Sequence, residues 1–164
     1  MISADGSVVA FSSQASDLVA NDENLRDDVF AYSLTDDSIT LISVNSDGTG
    51  TGNSRSFNPV ISADGSVVAF ESRASDLVFD FNDENGTFVS DVFAYSLTDD
   101  SIRLISVNSD GTGTGNRGSF SPVINADGSV VAFESRASDL VADDENGTND
   151  IFAYSLTDLS LIHI

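Results

Sequence analysis

The sequence predicts an all-β fold, a partial β-propeller of about three four-stranded antiparallel blades. One ten-residue segment occurs almost unchanged three times, at residues 2–11, 61–70 and 124–133. A second segment recurs between these copies and begins at Asp28, Asp91 and Asp150. Within the first segment the repeated aspartates Asp5, Asp64 and Asp127 are 59 and 63 residues apart. Short apolar runs repeated at such a period, with turn residues between them, are typical of propeller blades.

The complete copy predicts two strands joined by a tight turn in its first half. Residues 57–62 form an extended run in which Pro59 suits the start of a strand. Residues 63–66 predict a hairpin turn, because Asp64-Gly65 supplies the positive φ of a two-residue loop. Residues 67–72 open with four apolar side chains, which indicates a strand covered on both faces.

The second half of the copy predicts two further strands after a long polar loop. Residues 91–97 place Phe93, Tyr95 and Leu97 on one face, as alternation in a strand requires. A turn at 98–101 leads to a fourth strand at 102–107. No segment shows a 3.6-residue period over ten residues, so we expect no substantial helix. The alternative is a β-solenoid, but its coils are shorter and parallel.

The repeats organise the whole chain into one predicted domain, residues 1–164, with repeats at 2–60, 61–123 and 124–164. The last repeat is incomplete, and the sequence both begins and stops inside a copy. We therefore expect this chain to be a fragment of a longer repeat protein, with further blades outside it. A closed propeller needs about 4–8 blades.

Charge narrows the classes of partner. The chain has 27 acidic residues and 6 basic ones, for a net charge of −21 at pH 7. Such a charge argues against binding to nucleic acid or to an anionic membrane surface. No apolar run reaches about 18 residues, so no membrane insertion is expected. The absence of cysteine excludes disulfides and thiol chemistry.

Residues 121–133, followed by 150–156, resemble the TolB-like, WD40-related β-propeller repeat. The matching features are a Ser-Pro start, an Asp-Gly hairpin, an apolar Ala-Phe strand and an Ile-Phe-Ala-Tyr strand after an aspartate. The resemblance covers nearly the whole chain, although this repeat is longer than the family's unit of about 40 residues. It implies a bacterial, extracytoplasmic (periplasmic or secreted) propeller used mostly for binding, and it implies no catalytic residues.

The loop between the second and third strands predicts a calcium site. Each copy has Asp-x-Asn and then an aspartate at the head of the third strand, with Gly86 or Gly147 after the asparagine in two copies. Calcium requires 6–8 oxygen ligands, which short Asp and Asn side chains supply around a tight turn. The candidate ligands are Asp144, Asn146 and Asp150, then Asp83, Asn85 and Asp91, and more weakly Asp22, Asn24 and Asp28.

A second interpretation of these loops needs no metal. Asp, Asn and Gly are common turn formers, and the aspartates at the strand heads then only accept hydrogen bonds. Copy one has Leu25 in place of the glycine and Arg26 inside the loop, which predicts a weaker site there. The Gly-rich segments at 45–54 and 108–118 are expected to be connections between blades.

Three functions remain open. The first is a non-catalytic module that binds a protein or a glycan, with structural calcium in its loops. The second is the accessory propeller of a larger enzyme, such as a peptidase, whose catalytic domain lies outside this chain. The third is a lyase or glycosidase with its site at a channel mouth. The residues of a single active site do not normally recur in every repeat, so no enzyme activity is expected of these residues themselves.

Overall fold

The computed structural model describes residues 1–22, 24–79, 81–86, 88–142, 144 and 146–164. Within these residues the chain forms eleven strands and no helix. No described segment therefore provides a helix long and apolar enough to cross a membrane. The strands in chain order are β1 (Val8–Ser13), β2 (Asp28–Ser33), β3 (Ser38–Leu41), β4 (Ser56–Ile61), β5 (Val67–Ser72), β6 (Asp91–Ser96), β7 (Ser101–Leu104), β8 (Ser119–Ile124), β9 (Val130–Ser135), β10 (Asp150–Ser155) and β11 (Ser160–His163).

The strands form three antiparallel sheets, which we call blades. Blade two contains β4-β5-β6-β7 and blade three contains β8-β9-β10-β11, each in meander order. Blade one contains β1-β2-β3, and a single bridge from Ile2 to Val9 lies at its inner edge. The predicted all-β meander is confirmed, and blade one has three described strands rather than four.

The hairpin turn lies at residues 63–66, as the sequence predicted, but its loop has four residues rather than two. Ile61 pairs with Val68, and the Ser62 amide donates to the Val67 carbonyl, so four residues turn the chain. Only Gly65 has a positive φ, of 75°. The prediction of a two-residue loop was wrong because the Asp64 carboxylate accepts hydrogen bonds from the Ser62 hydroxyl and the Ser66 amide. These bonds stabilise a wider turn.

Each blade presents two different faces. One face carries small and β-branched side chains, such as Ala69, Val92 and Ala94 in blade two. The other carries aromatic and larger aliphatic side chains, such as Phe70 and Phe93. The small-residue face of one blade packs against the aromatic face of the next, which produces two buried clusters between three blades. The predicted burial of both strand faces follows from this stacking.

Cross-strand aromatic pairs fix the register in every blade. Phe11 lies opposite Phe30, Phe70 opposite Phe93, and Phe133 opposite Phe152. Their ring centroids are 5.7, 5.8 and 5.8 Å apart. Directly opposed aromatic pairs stabilise an antiparallel sheet. A one-residue slip would turn every one of these rings to the wrong face, so this register is strongly specified.

A bulge in the first strand of a blade connects neighbouring blades. Pairing in β4 shifts between Phe57 and Val60, and Pro59 lies within this irregular stretch. The bulge residue of blade three, Ser121, has φ 56° and donates its amide to Glu71 of blade two at 3.0 Å. Glu71 is only 5% exposed, and its acceptor oxygen thus joins two blades.

Candidate metal site

The candidate ligands lie where a long loop enters β2, β6 or β10. We call residues 14–27, 73–90 and 136–149 the long loops of blades one, two and three. Each loop begins and ends at one paired position: Ser13 with Asp28, Ser72 with Asp91, and Ser135 with Asp150. The loops span 14, 18 and 14 residues, yet the pair that holds their ends is the same.

The aspartates at the strand heads are buried structural groups in blades one and two. Asp28 is 0% exposed and Asp91 is 5% exposed. The Ser43 hydroxyl donates to Asp28 at 2.8 Å, and the Ser106 hydroxyl donates to Asp91 at 3.1 Å. The same hydroxyls accept the amide hydrogens of the residues that follow each aspartate. Each serine thus ties the end of one strand to the head of another.

Sequence reasoning missed these two serines. Their signal is visible in the sequence, because each follows an isoleucine directly after the fourth strand of its repeat. In blade three, His163 Nε2 lies 3.2 Å from Asp150 Oδ1. His163 pairs with Phe152, the position at which Leu104 pairs with Phe93 in blade two.

Burial changes the acidity of the strand-head aspartates. Desolvation raises the pKa of Asp28 to about 6, and its hydrogen bonds to Ser43 and Asn24 only partly oppose this. Desolvation likewise raises the pKa of Asp91 to about 7. The charges of Asp22 and Asp83 contribute to these respective shifts, so the carboxylates of each loop lie near enough to interact. A bound cation would offset the free-energy cost of burying these carboxylates in their charged form.

The asparagines of the candidate set point their amide nitrogens at the strand-head carboxylates. Asn24 donates to Asp28 at 2.8 Å, and Asn146 donates to Asp150 at 2.8 Å. Asn85 donates to both Asp91 oxygens at 3.1 and 3.2 Å. The Asn24 and Asn146 oxygens accept backbone amides two residues further on, as in an Asx turn. These two asparagines orient the carboxylate and shape the loop.

Several oxygens of the candidate set lack a hydrogen-bond donor. Among the described residues, the buried oxygens without one are Asp22 Oδ1, Asn85 Oδ1, Asp144 Oδ1 and Asp150 Oδ2. Asp22 as a whole is only 9% exposed. Buried carboxylate and amide oxygens are costly without a partner. At least one such atom occurs in each of the three loops, at positions the sequence predicted to bind a metal.

Leu25 keeps the left-handed backbone conformation that glycine has at the same position of the other two loops. Leu25 has φ 56°, and the corresponding Gly86 and Gly147 have φ 93° and 66°. A left-handed conformation is costly for leucine. The Leu25 side chain is 79% exposed, and the Arg26 side chain is also exposed.

The described candidate set includes no group of three carboxylate or imidazole side chains arranged to hold a metal.

The aspartates at the other end of the blades are of a different kind. A backbone amide and two hydroxyls lower the pKa of Asp5 to about 2. Serine hydroxyls and amides also lower the pKa of Asp64 and Asp127. These exposed carboxylates are satisfied by their own turns, so they differ from the buried ones in the long loops.

Solved structures resemble the whole chain. No protein-family model matches it, and no curated protein matches its sequence. TolB from Acinetobacter baumannii superposes with a TM-score of 0.52 at 14% identity, covering 99% of this chain and 30% of TolB. The fold is a TolB-like β-propeller. The propeller domain of the Trilobed protease from Pyrococcus furiosus gives a TM-score of 0.58 at 15% identity, over 96% of this chain and 38% of that one.

The tricorn protease provides a third similar propeller. It superposes with a TM-score of 0.55 at 14% identity, over 99% of this chain and 18% of its own. The chain therefore spans well under half the length of each of these proteins. At such identities the likeness establishes the propeller fold and nothing about activity. The three sheets described above are therefore blades of a β-propeller.

Proposed function

We propose that the chain is a non-catalytic, extracytoplasmic propeller module that binds a protein or a glycan through the loop end of its blades. The observation that carries this proposal is the contrast between strands and long loops. The strands repeat almost residue for residue, whereas the second halves of the long loops differ in side chains, and the loop of blade two is four residues longer. Variable loops on a fixed scaffold are the usual location of binding residues.

We further propose that the long loops bind calcium. Buried oxygens without a hydrogen-bond donor support this proposal, and they belong to Asp22, Asn85 and Asp144. The raised pKa values of Asp28 and Asp91 support it as well. Carboxylate and amide oxygens are the ligands that calcium prefers. The carboxylates bind the ion directly, while Asn24 and Asn146 hold those carboxylates in place. The net charge of −21 favours cation uptake.

Thermal unfolding with calcium and with a chelator tests the metal. A ligand at 100 times its Kd stabilises the native state by about 2.7 kcal/mol, or roughly 5–10 °C in Tm for a chain of this size. Asp22→Ala and Asp83→Ala should each reduce the response. Asp64→Ala, at the opposite end of the blades, is the matched control. A Tm that millimolar calcium leaves unchanged in the unsubstituted chain contradicts the metal proposal.

The alternative is an accessory propeller of a larger enzyme. The similarity to propellers of the Trilobed and tricorn proteases favours it, since both of those proteins are named as proteases. The reading frame on either side of this chain decides between the two. A hydrolase domain there contradicts the stand-alone binding module. Cell fractionation of the full-length protein tests the extracytoplasmic location.

A further inference from the structure

An open groove lies between the long loop of blade two and the start of blade three. Its walls include Asn85, Phe88, Ser90, Arg117, Phe120 and Arg136. Among the described residues that line it, none is acidic. The chain has only 6 basic residues against 27 acidic ones, so two arginines in one groove without a lining acid stand out. We call this the Arg117 groove.

At the equivalent junction between blades one and two, an acidic side chain pairs with the arginine. There Asp27 pairs with Arg55 at 3.2 Å, and the Arg55 guanidinium lies 4.5 Å from the centre of the Phe57 ring. Asp27 precedes the strand-head aspartate of blade one, and Ser90 occupies that position in blade two. Ser90 thus replaces the acid of the first junction, Gly118 replaces Arg55, and Arg117 stands at the position of Ser54.

The groove also has an aromatic side chain that blade one does not provide. Phe88 belongs to the longer loop of blade two and is 82% exposed. Across the groove, the Arg136 guanidinium lies 5.5 Å from the centre of the Phe120 ring. Two phenyl rings and two guanidinium groups thus line one open surface. A large exposed apolar side chain beside charged groups is a feature of ligand-binding surfaces.

The two guanidinium groups retain unused hydrogen-bond donors. Arg136 Nε donates to Asn149 Oδ1 at 3.1 Å, while the Arg117 side chain is exposed. Within the described part of the chain, no carboxylate lies within 4.0 Å of either guanidinium. A guanidinium fork matches a carboxylate with two parallel hydrogen bonds. The groove is therefore complementary to a ligand that carries carboxylates.

We propose that the Arg117 groove binds an acidic polysaccharide through the carboxylates of its uronic acid residues. This proposal rests on the proposed function as a binding module and names its ligand class. Arg117 and Arg136 bind carboxylates, and the phenyl faces of Phe88 and Phe120 pack against the apolar faces of sugar rings.

The net charge of the chain does not oppose this binding at physiological salt. Charges more than about 8 Å apart are largely screened at 0.15 M ionic strength. The distant carboxylates are therefore screened, and a ligand carboxylate is attracted by Arg117 and Arg136. The acids nearest the groove are Asp91, which accepts from the Asn85 amide at 3.1 and 3.2 Å, and Glu134, the strand partner of Phe120. At low salt, repulsion from the other carboxylates reaches further, so the binding should not show the steep low-salt enhancement of a basic protein.

Calorimetric titration with two matched trisaccharides tests the proposal at 0.15 M salt. The first is a β-1,4-linked mannuronate trimer, and the second is β-1,4-linked mannotriose, which replaces each carboxylate with a hydroxymethyl group. We expect binding of the acidic trimer and at least tenfold weaker binding of the neutral one. Arg117→Ala and Arg136→Ala should each weaken binding of the acidic trimer at least tenfold, and Phe88→Ala several-fold.

Arg103→Ala and Arg55→Ala are controls with the same change of charge outside the groove. Equal weakening by all four arginine variants would mean a general charge effect and would overturn the site. Equal affinity for both trisaccharides, or for a glutamate trimer and the mannuronate trimer, would overturn the carbohydrate class. Failure to bind the acidic trimer at all overturns the groove proposal alone, since the calcium response is measured separately.

Discussion

At the scale of single residues, burial separates two sets of aspartates that look alike in the sequence. Asp5 and Asp64 belong to turns whose amides and hydroxyls lower their pKa. Asp28 and Asp91 lie at strand heads, where loss of water raises the pKa to about 6 and about 7. The buried set is the one whose charge state responds to pH near neutrality.

This difference predicts a calcium-dependent pH profile of stability. A folded pKa above the ordinary value of 3.8 means that the native state holds the proton more tightly than the unfolded chain. Without calcium, the free energy of unfolding should therefore fall as the pH rises from about 4 through 6 and 7. Calcium binds the ionised carboxylates, so it should flatten this fall, as chemical denaturation across the pH range will measure.

Two variants check the assignment of that profile. Asp91→Asn should reduce both the fall in stability between pH 4 and 8 and the response to calcium. Asp127→Asn should change neither, because hydrogen bonds within its turn lower the pKa of Asp127, and its carboxyl group is therefore ionised throughout the range from pH 4 to 8. An unchanged profile in Asp91→Asn would show that the strand-head carboxylate is not responsible.

At the scale of elements, one carboxylate connects two blades through a strand bulge. Glu71 accepts the Ser121 amide of blade three and the Asn58 side chain of its own blade, each at 3.0 Å. The bulge turns the Ser121 amide out of the ladder between β8 and β9. The Ser121 amide no longer bonds within its own sheet, so it needs an acceptor elsewhere. The neighbouring blade provides it.

Glu71→Ala should destabilise the chain by about 1–3 kcal/mol, because it leaves the Ser121 amide without its acceptor. Glu71→Gln keeps an oxygen in place and should cost less. Glu134→Ala is the matched control, since Glu134 occupies the same position in blade three. It is only partly buried, and its side chain makes no hydrogen bond to another described residue. Urea denaturation measures all three, and equal losses in Glu71→Ala and Glu134→Ala would contradict this role.

The strands and their stacking were predictable from the sequence, and the contacts of the site were not. Alternation in 91–97 and the apolar run at 67–70 indicate strands buried on both faces, as β6 and β5 are. The loop positions of Asp22, Asp83 and Asp144 were also predictable. The bonds from Ser43 and Ser106 were missed because they depend on which strand ends meet in space. The Arg117 groove was missed for the same reason, since its walls come from two blades.

At the scale of the whole molecule, the two ends of the blade stack are complementary. Ile151 on blade three is 44% exposed, whereas Val29 and Val92 at the same position of blades one and two are 0% exposed. Those valines are covered by the aromatic face of the following blade. At the other end, blade one presents Phe11 and Leu41 of its aromatic face, both partly exposed.

The isolated chain should therefore self-associate head to tail, with the small-residue face of one copy on the aromatic face of another. Ile151→Asp should weaken this association roughly tenfold or more, because burying an isoleucine contributes about 1.5–3 kcal/mol. Leu159→Asp is the control, since Leu159 is 54% exposed on the turn before β11 rather than on the face. Sedimentation velocity over a range of concentrations measures both, and a monomer at all concentrations contradicts the prediction.

The fixed pair of residues at the ends of each long loop affects how such a protein can evolve. Ser72 and Asp91 close an 18-residue loop with the same pairing that closes the 14-residue loops of the other blades. Residues can therefore be gained or lost within a loop while the sheet on which it rests keeps its register. Each blade becomes an independent site for acquiring a new specificity, and a gene duplication that adds a blade also adds one more loop free to diverge.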